Sequence, residues 1–287
     1  MSALPASEGP LALVCGGGTL PLAVADRVAA TGRKVLLFPL HGAARPEDYA
    51  KRAPVWVRIA QLGTIVRAAR AAGCSEIVLI GSLVRPAFWQ MRFDWTTLRM
   101  LPRIAAAFRG GDDHLLSGVT RLIEQQGFRV LGAHEVAPEI LVPEGALGKM
   151  APTERDRADI AIGLNYLRAA SPFDIGQAVI VIDRHIVAVE AIEGTDQMLT
   201  RVADMRANGR LRAAAGSGVL VKAAKSAQDR RFDLPAIGPQ TIAGVQRAGL
   251  GGIAVIAGET IMAEPEEVVG QADRANIFVV GTAGTPA

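Results

Sequence analysis

A repeated handover from a short apolar run to glycine, and then to a helical stretch, narrows what this chain can fold into more than any other feature. Leu11–Cys15 is apolar and is followed at once by Gly16, Gly17 and Gly18. Pro21 then opens a helical stretch to about Thr31, since proline is tolerated in a first turn. Lys34–Leu40 and Val55–Ile59 read as second and third strands. Gln61–Ala72 reads as a helix stopped by Gly73, and Glu76–Ile80 as a fourth strand ending in Gly81. Helices are expected around Thr97–Phe108 and Asp113–Gln126, after which Arg129–Leu131 returns to the sheet. This rhythm predicts a parallel sheet with covering helices. Aromatics make up 5% of the chain, so small and branched aliphatics must build the core of strands buried on both faces.

Pro143–Thr153 contains Pro143, Gly145, Gly148 and Pro152 and reads as a linker. Beyond it come a helix at Arg155–Ala169 and two strands, Ala178–Ile182 and Ile186–Ala191, joined by a turn at Asp183–His185. A helix at Asp196–Arg206 and strands at Val219–Lys222, Gly252–Ile256 and Ile277–Val280 follow, with a helix at Gln240–Ala248 before Gly249. The expected fold class is α/β. A Rossmann-like, parallel-sheet N-terminal domain takes residues 1–136, and a mixed α/β C-terminal domain takes residues 137–287. The length suits two domains of about 100–150 residues each.

The net charge of +3 is mild and its basic residues are scattered. A nucleic-acid binder would concentrate them in a stripe, so no nucleic-acid partner is expected. Cys15 and Cys74 stand far apart, which suits a reducing compartment and not a disulfide scaffold. There is no CxxC or HExxH spacing for a structural zinc and no apolar run of about 20 residues for a membrane span. MSALPASEGP lacks the regions of a signal peptide, so a cytoplasmic protein is expected. Transient contact with a membrane surface is compatible with that, and a homodimer is left open.

Several constellations can carry chemistry, each with a structural alternative. The Gly16–Gly18 turn suits close backbone approach to a phosphate at a helix N-terminus, or simply a tight turn. It is not a dinucleotide fingerprint: Pro21 stands where the third glycine belongs, and Leu40–His41–Gly42 offers no acid for a ribose. Ser82 and Arg85, in GSLVRP after a strand, lie at the edge where ligands bind open α/β sheets, or form a polar loop. Asp112 and Asp113 precede a helix, so Asp112 can be an N-cap or both can meet a nucleotide or metal. His134 and Glu135 are adjacent on an expected strand end or loop, where serving one metal together would need a bend.

The second half is denser. Glu190, Glu193 and Asp196 flank Gly194, and Thr195 fits an N-cap. Capping alone does not explain three carboxylates at one turn. Lys222 and Lys225 close a strand. Asp233, between Phe232 and Leu234, is expected to be partly buried and therefore to need a cation or metal, or else a structural ion pair.

Six short motifs stand in order: GGGTLP at Gly16–Pro21, RGGDD at Arg109–Asp113, GAHEV at Gly132–Val136, DIGQ at Asp174–Gln177, EGTD at Glu193–Asp196 and DLPAIG at Asp233–Gly238. Together they resemble the LpxI-type UDP-2,3-diacylglucosamine pyrophosphatases, over about Leu11 to Gly281. Ser82 stands where the resemblance leads one to expect another polar residue, often Asn. The resemblance implies Mg²⁺-dependent hydrolysis of UDP-2,3-diacylglucosamine to UMP and 2,3-diacylglucosamine 1-phosphate (lipid X), a step of lipid A synthesis in Gram-negative bacteria. It implies attack by water on the sugar-side phosphorus. It also implies that Asp233, in the DLPxIG-type segment, is essential.

On this reading Asp233 and one or more of Glu190, Glu193 and Asp196 ligate Mg²⁺ or orient the water. Lys222 or Lys225 neutralises a phosphate oxygen. Expected substrate contacts are Gly17, Gly18, Thr19, Leu20, Ser82, Arg85, Asp112, Asp113, His134, Gln177 and Thr195. Two rival classes are a nicotinamide-dependent oxidoreductase, against which the imperfect glycine fingerprint argues, and a non-catalytic nucleotide-sugar or lipid-binding module, which leaves the acidic turn and Asp233 unexplained.

Overall fold

The computed structural model describes residues 9–59, 61–82, 112–173, 175–225, 229–232 and 234–283, with backbone only for residues 112–117. The expected helix at Thr97–Phe108, Arg85, Asp174 and Asp233 lie outside the described residues. The chain divides into two compact units. One holds the residues up to Pro138 together with Asp229–Phe232, and the other holds the remainder from Glu139.

In the first unit, β1 (Leu11–Cys15), α1 (Leu20–Ala30), β2 (Val35–Pro39), α2 (Leu62–Ala71), β3 (Glu76–Ile80), α3 (Asp112–Gln125) and β4 (Arg129–Leu131) alternate along the chain, and a one-turn α4 (Ala133–Val136) follows. The strands form a parallel sheet in the order β2-β1-β3-β4. All five residues of β1 are buried, as a strand covered on both faces requires. Helix α2 buries Leu62, Ile65, Val66 and Ala69, the i, i+3, i+4, i+7 stripe of an amphipathic helix, against Ala12, Val14, Phe38 and Ile77.

The expected strand Val55–Ile59 is not one. Val55 and Val57 donate their N–H groups to the Leu37 and Pro39 carbonyls, and the His41 N–H donates to Val57, leaving a single bridge between Leu40 and Val57. The next rung needs an N–H at position 39, and proline has none. His134 and Glu135 also depart from expectation. They lie on α4, where the Glu135 carboxylate accepts the Gly132 N–H at 2.9 Å.

The second unit contains β5 (Gly145–Leu147), α5 (Glu154–Ala170), β6 (Ala178–Ile182), β7 (His185–Val189), α6 (Gly194–Ala207), β8 (Val219–Lys222), β9 (Ala236–Ile237), α7 (Pro239–Arg247), β10 (Gly252–Ile256), β11 (Ile261–Met262), α8 (Pro265–Ala275) and β12 (Phe278–Thr282). Its main sheet runs β5-β12-β10-β8-β6-β7. β8, β10 and β12 are mutually parallel, while β5, β6 and β7 each run antiparallel to a neighbour. Alternate residues of β8 face opposite layers. Leu220 packs with Leu199, Ile242 and Val245 from α6 and α7, and Val219 and Val221 pack with Ile160 and Leu167 of α5. Gly163 is where α5 meets the sheet: a Cβ there would stand 2.6 Å from Val221.

The stretch Pro143–Thr153, expected as a linker, carries β5 as an edge strand. Its glycine and proline content hid a three-residue strand with no buried alternation. The turn between β6 and β7 places Asp183 and Arg184 at positive φ, and both N–H groups donate to the buried Asp159 carboxylate. Gly281 is pressed against the strand edge, since a Cβ there would stand 2.0 Å from the Pro143 carbonyl oxygen. Gly281→Ala should therefore cost about 1–3 kcal/mol of stability, the usual price of overpacking a well-filled site. An unchanged urea midpoint would contradict this packing.

Candidate functional site

The second unit's best-built polar cluster grows from the last residue of β8. Lys222 is 7% exposed and stands in register with Ala178 of β6 and Val255 of β10, at the carboxyl end of the parallel strands. Its ammonium donates to the Thr195 hydroxyl at 3.0 Å and to the Ala236 carbonyl at 3.0 Å. The Thr195 hydroxyl in turn donates to Glu190 Oε1 at 2.6 Å. Glu190 Oε2 accepts the Gln177 N–H at 2.6 Å. Each has a charged donor or acceptor, and such bonds are roughly twice as strong as neutral ones. Gln177, Glu190, Thr195 and Lys222, all expected site residues, are thus brought together.

Backbone conformation makes the cluster possible. Gly176 lies so close to Glu190 that a Cβ would stand 2.5 Å from the glutamate's Cγ and carbonyl oxygen. Gly194 has φ of +78°, a left-handed turn that starts α6 directly after the acidic stretch. Thr195 is not the N-cap: Glu193 holds that place without a side-chain cap bond, and Thr195 lies in the first turn.

The three carboxylates of the turn separate. Glu190 joins Thr195, the Glu193 carboxylate pairs with Arg201 at 3.0 Å, and Asp196 is exposed on the first turn of α6. Among the described residues, no group of three His, Cys, Asp or Glu side chains converges as a metal cage would require. Lys225, half-buried, follows β8 by three residues.

In the first unit the glycine turn has a structural purpose. The Gly17 N–H donates to the Ser82 carbonyl at 2.8 Å and the Ser82 N–H to the Gly17 carbonyl at 2.9 Å. The Gly16 N–H donates to Ile80. A Cβ on Gly16 would stand 2.5 Å from the Ser82 carbonyl oxygen, and one on Gly17 2.8 Å from the Ser82 hydroxyl. The Gly17 amide is thus used in tying the ends of β1 and β3 together, the tight-turn alternative for this glycine. Gly18 and Thr19 are exposed, Gly18 at φ of +91° with open space around it, and Leu20 begins α1. Ser82 is exposed beside them. α3 begins at Asp112 and Asp113.

His134 folds its ring over Gly132, where a Cβ would stand 2.5 Å from the imidazole. Its Nδ1 is buried with no hydrogen-bond partner among the described residues. Burial pushes its pKa down, Glu135 opposes that, and Arg230 adds to it. The Arg230 neighbourhood is the segment Asp229–Phe232, which returns to the first unit. Arg231 grips the Asp229 carboxylate with Nε and Nη2, at 3.0 and 2.7 Å to its two oxygens, and reaches Glu124 of α3 with Nη1 at 3.0 Å. That grip holds the Asp229 carboxyl below its ordinary range. Phe232 packs on the first unit's core. Asp233 follows it directly in the chain.

Comparison with known proteins fits this two-part layout. The LpxI N-terminal domain model matches residues 10–140, and the LpxI C-terminal domain model matches residues 143–280. The chain belongs to the LpxI family. It is 42% identical over 272 residues to the UDP-2,3-diacylglucosamine pyrophosphatase LpxI of Caulobacter vibrioides, covering 94% of this chain and 96% of that protein. Among solved structures, a short-chain dehydrogenase/reductase superfamily protein from Agrobacterium tumefaciens with bound NAD aligns over 96% of this chain and 86% of its own. At 13% identity and a TM-score of 0.26, that likeness carries no argument for a nicotinamide cofactor.

Within this LpxI-family chain, sequence reasoning missed three participants: Gly176, the Ala236 carbonyl and Arg201. Gly176 lies inside the DIGQ motif and Ala236 inside DLPAIG, so the motifs marked the places without revealing the contacts. Nothing local distinguishes Arg201 from the other arginines.

The His134 imidazole titrates below its ordinary value of 6.5. As pH falls, the unfolded chain therefore takes up a proton before the folded one, and stability rises with pH wherever the unfolded state binds more protons. Stability should decline from about pH 7 to about pH 5, and His134→Gln should flatten that part of the slope in denaturant titrations. A variant with the wild-type slope would contradict the buried, neutral imidazole.

Proposed function

We propose that this protein hydrolyses the pyrophosphate of UDP-2,3-diacylglucosamine to UMP and lipid X, in the cytoplasm at the inner face of the inner membrane. One observation carries the reading: near full-length identity of 42% to a protein named for that activity, with both LpxI domain models matched in order. Among the described residues no helix is long and apolar enough to cross a membrane, so contact with the lipid surface would be peripheral. A membrane-bound substrate and product are the partners this implies.

The chemistry asks a water oxygen to bond to the sugar-side phosphorus while the bond from that phosphorus to the bridging oxygen breaks. UMP leaves with the bridging oxygen, and the proton lost by water goes to a base. Charge builds on phosphate oxygens as this happens. A preorganised cation beside them lowers the barrier more than one that must reorient. Lys222 is held in that way by Thr195 and Ala236, and Lys225 lies three residues on. Asp233 is assigned to the water or the metal by motif.

Mg²⁺ fits the donor set. It is usually held by one or two carboxylates plus substrate phosphates, so a cage of three acids is not needed. Each Glu190 oxygen accepts one hydrogen bond, and a carboxylate has about four acceptor sites, leaving capacity for a cation. Asp233 with Glu190 would hold the ion. Asp196 stands at the same turn, while Glu193 is taken by Arg201. When bound, Mg²⁺ would screen the pyrophosphate charge and polarise a phosphoryl oxygen.

Purified protein should release UMP from UDP-2,3-diacylglucosamine in Mg²⁺ and stop in EDTA. Turnover that survives rigorous metal removal would sink the metal assignment, and binding without turnover under any divalent ion would favour the non-catalytic module. Asp233→Ala should lower kcat about 10³-fold, or about 4 kcal/mol of barrier, with substrate affinity and folding largely kept. A folded variant with near-normal kcat would remove Asp233 from the chemistry.

A further inference from the structure

We propose that Thr195 is the positioning residue that sets the Lys222 ammonium and the Glu190 carboxylate for pyrophosphate cleavage, an inference that rests on the hydrolase reading above. The hydroxyl stands between opposite charges, 3.0 Å from Lys222 Nζ and 2.6 Å from Glu190 Oε1. An ammonium can only donate and a carboxylate can only accept. The single hydroxyl proton must therefore point at Glu190, and the hydroxyl lone pairs must face Lys222. The two charges fix the direction of the relay, and the relay fixes both charged groups at once.

Thr195 is free of the usual competing duty, because α6 is capped at Glu193 and not by the threonine side chain. Glu193, the N-cap residue of α6, pairs with Arg201 at 3.0 Å. A β-branched side chain in a helical first turn has few rotamers, so the hydroxyl is held by its own backbone as well as by its partners. Glu190 is braced from its other side by the Gln177 N–H and by the bare backbone of Gly176. Lys222 has the Ala236 carbonyl as a second acceptor, from the segment that carries the DLPAIG motif. Removing the hydroxyl leaves both the half-buried Glu190 and the buried ammonium short of one bond. Both will then turn toward other partners.

The test uses the full chain with UDP-2,3-diacylglucosamine and Mg²⁺, comparing wild type, Thr195→Val and Thr195→Ser. Valine keeps the shape and removes the hydroxyl, and serine keeps the hydroxyl. Thr195→Val should lose kcat on the order of 10²-fold, the scale on which small misplacements of a reacting group are felt, with KM nearly unchanged. Thr195→Ser should recover most of it. A purely structural role would instead lower the melting temperature and the active fraction together, and Thr195→Ala serves as a second variant should valine not fold. Wild-type kcat in Thr195→Val, or a serine variant as slow as valine, would overturn the relay alone. A wild type inert toward the substrate would overturn the relay and the hydrolase reading together.

Discussion

A lysine ammonium at the end of an otherwise apolar strand sets the terms for the second unit. Val219, Leu220, Val221 and Lys222 are all buried, and only the last carries charge. Desolvating an ammonium costs several kcal/mol unless acceptors replace the lost water. The fold supplies two of them from distant parts of the chain, the Thr195 hydroxyl at the start of α6 and the Ala236 carbonyl in β9. Each demand leads to another. Thr195 can face Lys222 only because Gly194 turns the chain through a left-handed conformation. Its proton needs Glu190, and Glu190 fits only because residue 176 has no side chain.

Two other charged residues are buried among those described, and the contrast is instructive. Glu76 lies against Arg33 and Arg129, and Asp159 collects the two N–H groups of the β6–β7 turn. Both are satisfied by framework: an arginine pair at the start of β3, and a hairpin whose positive φ angles need a local acceptor. Lys222 differs because it sits at the carboxyl end of parallel strands, the edge at which open α/β sheets bind ligands. Its partners there include the Thr195 hydroxyl and the Ala236 carbonyl. A buried lysine at that edge is placed where an anionic ligand would meet it.

The parallel core of the first unit was legible because buried strands write themselves as unbroken apolar runs. Leu11–Cys15 and Glu76–Ile80 were read with the bounds they have. Val55–Ile59 was misread because its apolar pattern is right and the obstacle is one missing N–H in the neighbouring strand, at Pro39. β5, β9 and β11 are two or three residues long, too short for any period to show. At the site, residue types were legible and pairings were not. Three acids around Gly194 looked like one cluster, yet they have three fates, since a helix start throws successive side chains in different directions. The glycine turn at Gly16–Gly18 was legible as a place of close approach. What approaches Gly16 and Gly17 is the backbone of Ser82, which no linear pattern could have said.

The segment before Asp233 adds a constraint that chain order alone conceals. Asp229–Phe232 belongs with the first unit, although about ninety residues of the second precede it and the rest of the second follows. The Arg231 grip on Asp229 and Glu124 and the packing of half-buried Phe232 against the first core hold it there. Ile237, five residues after Phe232, is 1% exposed in the core of the second unit. Within the DLPAIG motif, Ile237 thus belongs to the core of the second unit, while the four residues Asp229–Phe232 just before the motif belong with the first.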